Sequence, residues 1–280
     1  MLWEELTTGN FQQNINESSS VCLLPIGVLE KHGNHLPLGT DMITGQAVSK
    51  KAAELEKSIV FPYYFFGQIA EAKHYPGCIA ASHKLIMEAL LEMCDEIHRN
   101  GFKKIIICSS HGGNNHFLPF FLQQMPGMNR SYNAYTYFIP RLKDDQKKII
   151  CETAKTDDLG YHAGLTETAV IMHLRPDLVN MKAQDSKESK SKERLAELRE
   201  KEVFSGFNWY AEYPYHFAGD PSPATPELGK IIFDMLCENL AEVIRAVKAD
   251  DVSEKMIKEF NMTGQKSVFS KAWGILSKKN

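Results

Sequence analysis

Two short stretches of this chain are apolar at nearly every position rather than at every second one. The first is Val21-Cys22-Leu23-Leu24-Pro25-Ile26-Gly27-Val28-Leu29, and the second is Ile105-Ile106-Ile107-Cys108, entered through Lys104. A strand with one wet face alternates between apolar and polar residues. A strand buried on both faces does not, and it belongs inside a parallel sheet covered by helices on either side. The segments between the runs agree. Residues 42–56 read as a helix, and a short strand is expected over 58–61. Residues 84–99 place Leu85, Ile86, Ala89, Leu90, Met93 and Ile97 on one side and stop at Asn100-Gly101. Residues 134–139 are a further strand. Residues 166–174 form a helix that ends before Arg175-Pro176, and 226–248 form a long amphipathic helix opened by Pro226. This order predicts an α/β fold of three layers, α/β/α, around a mostly parallel central sheet. No boundary divides the chain, so residues 1–280 are read as a single domain, with a core of about 21–248 and a tail over 249–280. The Lys-, Glu-, Ser- and Arg-rich stretch 182–202 reads as a solvated helix or excursion.

Composition narrows the class. The 280 residues carry a formal net charge of -3, which gives no reason to expect nucleic acid or an anionic membrane as partner. No stretch approaches the ~20 apolar residues needed to span a bilayer. Nor is there a charged-then-apolar leader, so a cytoplasmic location is expected. None of the six cysteines forms a C-x-x-C pair, and Cys22, Cys108 and Cys237 sit in apolar runs. They read as small buried hydrophobes in a reducing compartment.

The polar chemistry gathers where strands end. After the first run comes Glu30-Lys31-His32-Gly33-Asn34-His35-Leu36-Pro37-Leu38-Gly39-Thr40-Asp41. Carboxylate and imidazole together are the ligand set of zinc, manganese or iron. Glu30 and His32 are two apart, so on an extended backbone they point the same way. After the second run comes Ser109-Ser110-His111-Gly112-Gly113-Asn114-Asn115-His116. Open parallel sheets place ligands beyond the carboxyl ends of their strands. If the two strands are parallel neighbours, Glu30, His32, Asp41 and His111 converge. Gly112 and Gly113 let backbone N–H groups approach a bound group. With Asn114 and His35 they are the candidate substrate contacts. His35 could equally orient a metal ligand or be an ordinary loop histidine. The third cluster is His162-Ala163-Gly164-Leu165-Thr166-Glu167-Thr168, with Glu167 one turn into a helix whose N-terminus is partly positive. Glu167 alone could be a first-turn capping carboxylate. Three such junctions together predict a metal centre. His83, His98, His116 and His173 are expected to be structural. The aromatic stretches 63–66 and 207–217 read as core, pocket wall or subunit contact.

Taken in order, E-x-H-G-x-H-L-P-x-G-T-D, S-H-G-G-N-N and H-A-G-x-x-E-T resemble the creatininase (creatinine amidohydrolase) family, in particular its H-G-G-N branch. The resemblance runs from about Val21 to Gly229. It takes in His74-Tyr75-Pro76-Gly77 and Gly219-Asp220-Pro221-Ser222-Pro223-Ala224-Thr225. It implies a creatininase-like fold, two divalent metal ions per chain (Zn, Mn or Fe), and hydrolysis of a C–N bond in a small cyclic amide or formamide by metal-bound hydroxide. It implies that Asp41 bridges the metals, that Glu30 and His111 serve one and His32 the other, and that His162 is the catalytic histidine. In creatininase proper a glutamate completes the second site where this chain has Gly113. Glu167 is the candidate replacement, in a catalytic and metal-binding role. Some members trim a modified peptide in redox-cofactor maturation, so a peptidase-like maturase is the alternative. A metal-binding assembly or sensor protein without turnover is a third. The resemblance also implies a homo-oligomer, hexamer favoured. Lys31 stands where Gln or Cys is common, and Cys78 where Thr is usual. The indoles expected of a creatinine pocket are not evident near residues 130–160, and Trp209 is the only Trp in the middle of the chain.

Overall fold

The computed structural model describes residues 1–264. The part of the expected tail from 265 to 280 lies outside the described residues. In chain order the regular elements are α1 (Thr8–Glu17), β1 (Val21–Ile26), α2 (Thr40–Leu55), β2 (Ile59–Val60), α3 (His83–Arg99), β3 (Lys104–Ser109), α4 (Asn114–Gln124), β4 (Asn133–Phe138), α5 (Asp144–Ala154), α6 (Leu165–Leu174), α7 (Ala196–Glu200), α8 (Asn208–Glu212), α9 (Pro226–Ala249) and α10 (Val252–Gly264), joined by loops and short 3-10 turns.

The strands form one parallel sheet in the order β2-β1-β3-β4. The two unbroken apolar runs are its central pair. Every residue of β1 is buried, as is every residue of β3 after Lys104. Their side chains divide by parity, as the period of two in a strand requires. Val21, Leu23, Ile106 and Cys108 face one layer, packing with Val48 and Ala52 of α2, Ala169 and Val170 of α6, and Leu228, Ile232 and Leu240 of α9. Cys22, Leu24, Ile26, Ile105 and Ile107 face the other, against Ile86, Leu90 and Ile97 of α3 and Phe117 and Phe121 of α4. This is the three-layer α/β/α architecture the runs predict. Among the described residues no helix is long and apolar enough to cross a membrane. Cys22, Cys94, Cys108 and Cys237 are buried, and all six cysteines are free thiols.

The stretch 182–202 departs from the expected excursion. Its α-helical part is confined to Ala196–Glu200, and several of its charges are spent on anchorage. Arg194 Nε donates to the Ala211 carbonyl at 3.0 Å, and Arg199 pairs with Glu212 at 2.6 Å. Lys192 N donates to the Glu212 carbonyl at 2.8 Å, and Asn34 Nδ2 donates to Glu188 Oε2 at 3.2 Å. The stretch straps α8 to the loop that follows β1.

Candidate metal centre

β1 and β3 run in register to Ile26 opposite Ser109, so the chain leaves both strands side by side. Ser110 N donates to the Ile26 carbonyl at 3.1 Å, and Ser110 Oγ to the Asp41 carbonyl at 2.7 Å. Glu30 N donates to the Leu38 carbonyl at 3.0 Å and closes the loop on itself. Asp41 falls in the first turn of α2, which begins two residues earlier than the expected Met42, and a helix N-terminus favours a carboxylate there. The two strand ends and this turn bring Glu30, His32, Asp41 and His111 together, all of them buried.

Asp41 lies between the two first histidines. Its Oδ1 is 3.2 Å from His32 Nε2, and its Oδ2 is 3.2 Å from His111 Nδ1. Glu30 Oε1 sits 3.4 Å from His111 Nδ1, 3.5 Å from His32 Nε2 and 3.4 Å from His162 Nδ1. Glu167 Oε2 is 3.9 Å from His32 Nε2. Three sets of ligand atoms therefore lie within 4.8 Å of one another: Glu30, Asp41 and His111; His32, Asp41 and Glu167; and Glu30, His32 and His162.

The ring nitrogens facing inward are set by what the outward ones touch. His111 Nε2 meets the Gln68 carbonyl at 2.6 Å, and His162 Nε2 the Lys31 carbonyl at 2.7 Å. A carbonyl only accepts, so both Nε2 atoms carry a proton and both Nδ1 atoms point into the cluster. In the same way His32 Nδ1 meets its neighbour Glu30's carbonyl at 3.2 Å and leaves Nε2 inward. Glu30 Oε2, His32 Nε2 and Asp41 Oδ2 are buried with no hydrogen-bond partner. The contacts around them have ion-pair separations without hydrogen-bond alignment. Buried polar atoms are rarely left so, and converging lone pairs from carboxylate and imidazole are what a divalent cation satisfies. The donor set fits such an ion.

The electrostatics carry the same demand for positive charge. Burial alone would lower His32, yet Asp41, Glu167 and Glu30 raise it to about 10. His111 is likewise raised well above the ordinary imidazole range, by Glu30 and Asp41 against the cost of burial. Burial opposes ionisation of Glu30, but His111 and His162 hold it well below the usual carboxylate range. His162 differs. Burial, then the charge on His32, lowers it to about 3, so its ring is neutral.

Glu167 makes a capping contact and also faces the cluster. At the start of α6 its Oε2 accepts from Ala163 N at 2.5 Å, a first-turn capping contact, while it also faces His32. Burial raises its carboxyl to about 7, with His32 opposing and Asp41 adding. A small cavity of about 30 Å³ lies beside it, lined by Asp41, Thr44, Ser110, Val170 and Leu236 among others.

The four candidate substrate contacts are placed differently from one another. His35 is buried, with Nε2 3.1 Å from both the Ala163 carbonyl and Thr168 Oγ1. It clamps the loop after β1 to the loop of His162. Asn114 is also buried, accepting from Gln68 N at 3.0 Å and donating to Ser109 Oγ at 3.2 Å. A side chain on Gly113 would come within 2.5 Å of His111 Nε2 and 2.6 Å of the Gln68 carbonyl, which are themselves bonded. The structure therefore has no room for a side chain at residue 113. Gly112 alone of the four faces open space. Two further residues join the site that sequence reasoning did not assign to it. His216 Nε2 is 3.5 Å from Glu30 Oε2, and Trp209 lies 5.7 Å from the His162 ring. The only sign of His216 in the sequence is its place in an aromatic stretch three residues before Gly219-Asp220. The 74–77 loop joins the same wall, with Tyr75 Oη donating to the Pro214 carbonyl at 2.5 Å.

Comparison with known proteins places this geometry in context. Residues 4–244 match the creatininase family model, described as creatinine amidohydrolase. A creatinine amidohydrolase of Pseudomonas putida is 23% identical over 269 residues, covering 86% of this chain and 95% of the relative. A mycofactocin precursor peptide peptidase of Mycolicibacterium smegmatis is 26% identical over 234 residues, covering 81% of this chain and 85% of the relative. A mutant creatininase of the Zn-Zn type superposes with a TM-score of 0.71 at 19% identity, covering 89% of this chain and 98% of that one, which is a likeness of fold.

Proposed function

The chain belongs to the creatininase family, and on that premise we propose that it is a divalent-metal-dependent amidohydrolase cleaving a C–N bond of a small cyclic amide or formamide. The observation that carries this reading is the set of buried ligand atoms left without hydrogen-bond partners at the ends of β1 and β3. Glu30, Asp41 and His111 would hold one ion, and His32, Asp41 and Glu167 the second, with Asp41 shared between them. Divalent ions held there would supply Lewis-acid polarisation and an activated water for the hydrolysis. His162, its Nδ1 turned into the cluster 3.4 Å from Glu30 Oε1, would be the residue that moves a proton toward the leaving nitrogen. Its Nε2 bond to the Lys31 carbonyl keeps the accepting nitrogen turned inward. The open backbone at Gly112 would meet the substrate. Carboxylate-rich ligation suits Zn²⁺, Mn²⁺ and Fe²⁺ alike.

The test is metal analysis followed by turnover of a panel of cyclic amides and formamides. The chelated protein should be inactive, and Zn²⁺ or Mn²⁺ should restore it. Equal turnover by chelated and reloaded protein would remove the reading. A purified protein that binds two ions but turns over nothing in the panel would favour the metal-binding assembly or sensor role.

A second reading, a peptidase-like maturase, is favoured by the surface around α8. Phe204, Phe207, Tyr210 and Tyr215 are exposed there, beside the Trp209 that contacts His162. Such a shelf suits the side chains of a peptide, and one relative is a precursor peptide peptidase. Product masses from short peptides and from cyclic amides separate the two. We further propose a cytoplasmic, single-domain chain that assembles as a homo-oligomer, hexamer favoured. A sedimentation mass near the 31.7 kDa of one chain would reject the assembly.

A further inference from the structure

Glu30 uses its two carboxylate oxygens differently. Oε1 faces the three inward nitrogens of His32, His111 and His162. Oε2 turns away, is buried, and has no hydrogen-bond partner. The nitrogen that faces it is His216 Nε2, at 3.5 Å. The far side of that ring is fixed, because Trp209 Nε1 donates to His216 Nδ1 at 3.0 Å. An indole N–H is only ever a donor, so Nδ1 must accept, and the neutral ring carries its proton on Nε2, aimed at Glu30. The ring is also packed between Trp209 and His162, with centroids 5.7 and 4.6 Å away.

The backbone is bent to deliver this ring. His216 has φ of 54°, a left-handed conformation that costs any residue with a side chain. It is held there by its N–H on the Tyr213 carbonyl at 2.9 Å, and its own carbonyl accepts from Gly33 N, inside the metal loop, at 3.4 Å. Strain held in place by its surroundings at a site is a pointer to function.

We propose that His216 is a positioning residue for Glu30, kept in its donor tautomer by Trp209. On loading of the centre, Nε2–H closes about 0.5 Å onto Oε2 to reach hydrogen-bond length. This turns Oε1 toward the ion held with Asp41 and His111. The inference rests on the metal reading above and adds to it a residue outside the ligand sets.

The test is titration of chelator-treated protein with Zn²⁺ against a chromophoric chelator, with thermal melts of the metal-free protein alongside. His216→Gly keeps the left-handed backbone and removes only the ring. It should weaken one of the two ions by ~10–100-fold, the usual effect of losing a partner behind a ligand. The metal-free melting temperature should fall with loss of the buried ring and of the Trp209 bond, so the deciding comparison is with His216→Gln. His216→Gln, whose amide can reach Oε2, should recover part of the loss. Trp209→Phe should produce a smaller loss in the same direction. Wild-type affinity for both ions in His216→Gly overturns the proposal. So does a His216→Gln variant that recovers the metal-free melting temperature but none of the affinity, since the loss then does not run through Oε2. A wild-type protein that binds no Zn²⁺ at all sinks the metal reading instead, so the two failures are distinguishable.

Discussion

Helix α6 belongs to two regions with opposite physics. Its first turn presents Glu167 to a cluster of buried carboxylates and imidazoles. Elsewhere on the same helix Leu165, Ala169 and Val170 join an apolar cluster with Leu228, Ile232 and Leu236 of α9. The packing is tight enough that a side chain on Gly229 would lie 1.8 Å from the Ala169 carbonyl. In the packed region shape is the constraint. In the site region buried polar atoms go without partners, which costs stability and makes sense only if something else satisfies them. Substitutions should therefore separate the regions: those at the site should change chemistry and metal content, and those at the helix crossing should change stability.

The largest effect is expected at Asp41, which stands in both of the ligand sets proposed for the two ions. Asp41→Ala should lose both ions and lower turnover at least ~10³-fold, since the activated water goes with them. Without metal it should be less stable than the wild type, having lost the carboxylate between buried His32 and His111, and the stabilisation on adding metal, about 2.7 kcal/mol per ion at a hundredfold excess over Kd for the wild type, should vanish. Elemental analysis finding two ions per chain in the variant would break the assignment.

His162→Ala comes next. It should keep metal stoichiometry and lose ~10²–10⁴-fold in rate, as expected for a lost proton-transfer group. The same ring also lies in ligand reach with Glu30 and His32. A variant depleted of metal would move His162 from proton transfer to ligation.

The other arm of the comparison is Gly229→Ala. The added methyl must push α9 off α6, and overpacking of this kind costs about 1–3 kcal/mol. For a chain of this size each kcal/mol is about 2–4 °C in melting temperature. Metal content and activity of the folded protein should be unchanged. A variant as stable as the wild type would mean that the helices separate freely. One that loses metal first would mean that the two regions are not independent.

What could be read from the sequence follows the same division. The unbroken runs at 21–29 and 104–108 fixed a parallel central pair because only burial on both faces explains them. Once those strands are neighbours, the convergence of Glu30, His32, Asp41 and His111 is a matter of where each strand ends. Boundaries were less legible: β2 shrinks to Ile59–Val60, and α2 starts early enough to include Asp41. Helices α4 and α5 left no clear signal, one mixing Asn, His and an internal Pro119, the other opening on Asp144-Asp145-Gln146-Lys147-Lys148. His216 could not be read because no local pattern encodes it. Contacts far apart in sequence place it, through Gly33, Tyr75 and Pro214, on an irregular loop. His35 shows the reverse case. It sits in the richest motif of the chain, yet the Ala163 carbonyl and Thr168 draw its ring into a structural clamp.

The smallest effect, and the finest test of the comparison, is at Glu167, where the two regions meet. Residue 113 cannot supply a ligand, since the structure has no room for a side chain there. His32 and Asp41 alone would hold an ion poorly, because catalytic sites usually supply about three protein ligands. Glu167, with Oε2 3.9 Å from His32 Nε2 and bonded to Ala163 N, is the carboxylate that could complete the set. Glu167→Gln keeps the shape and the cap acceptor but removes the charge. If the charge serves a metal, affinity for one ion should fall about 10-fold, near 1.4 kcal/mol, with the other ion and the melting temperature of metal-free protein unmoved. If the side chain is only a cap, both ions should bind as before. Calorimetric titration that finds two equal, unweakened sites in the variant would return Glu167 to the packed half of its helix and leave the second ion to be completed by water or substrate.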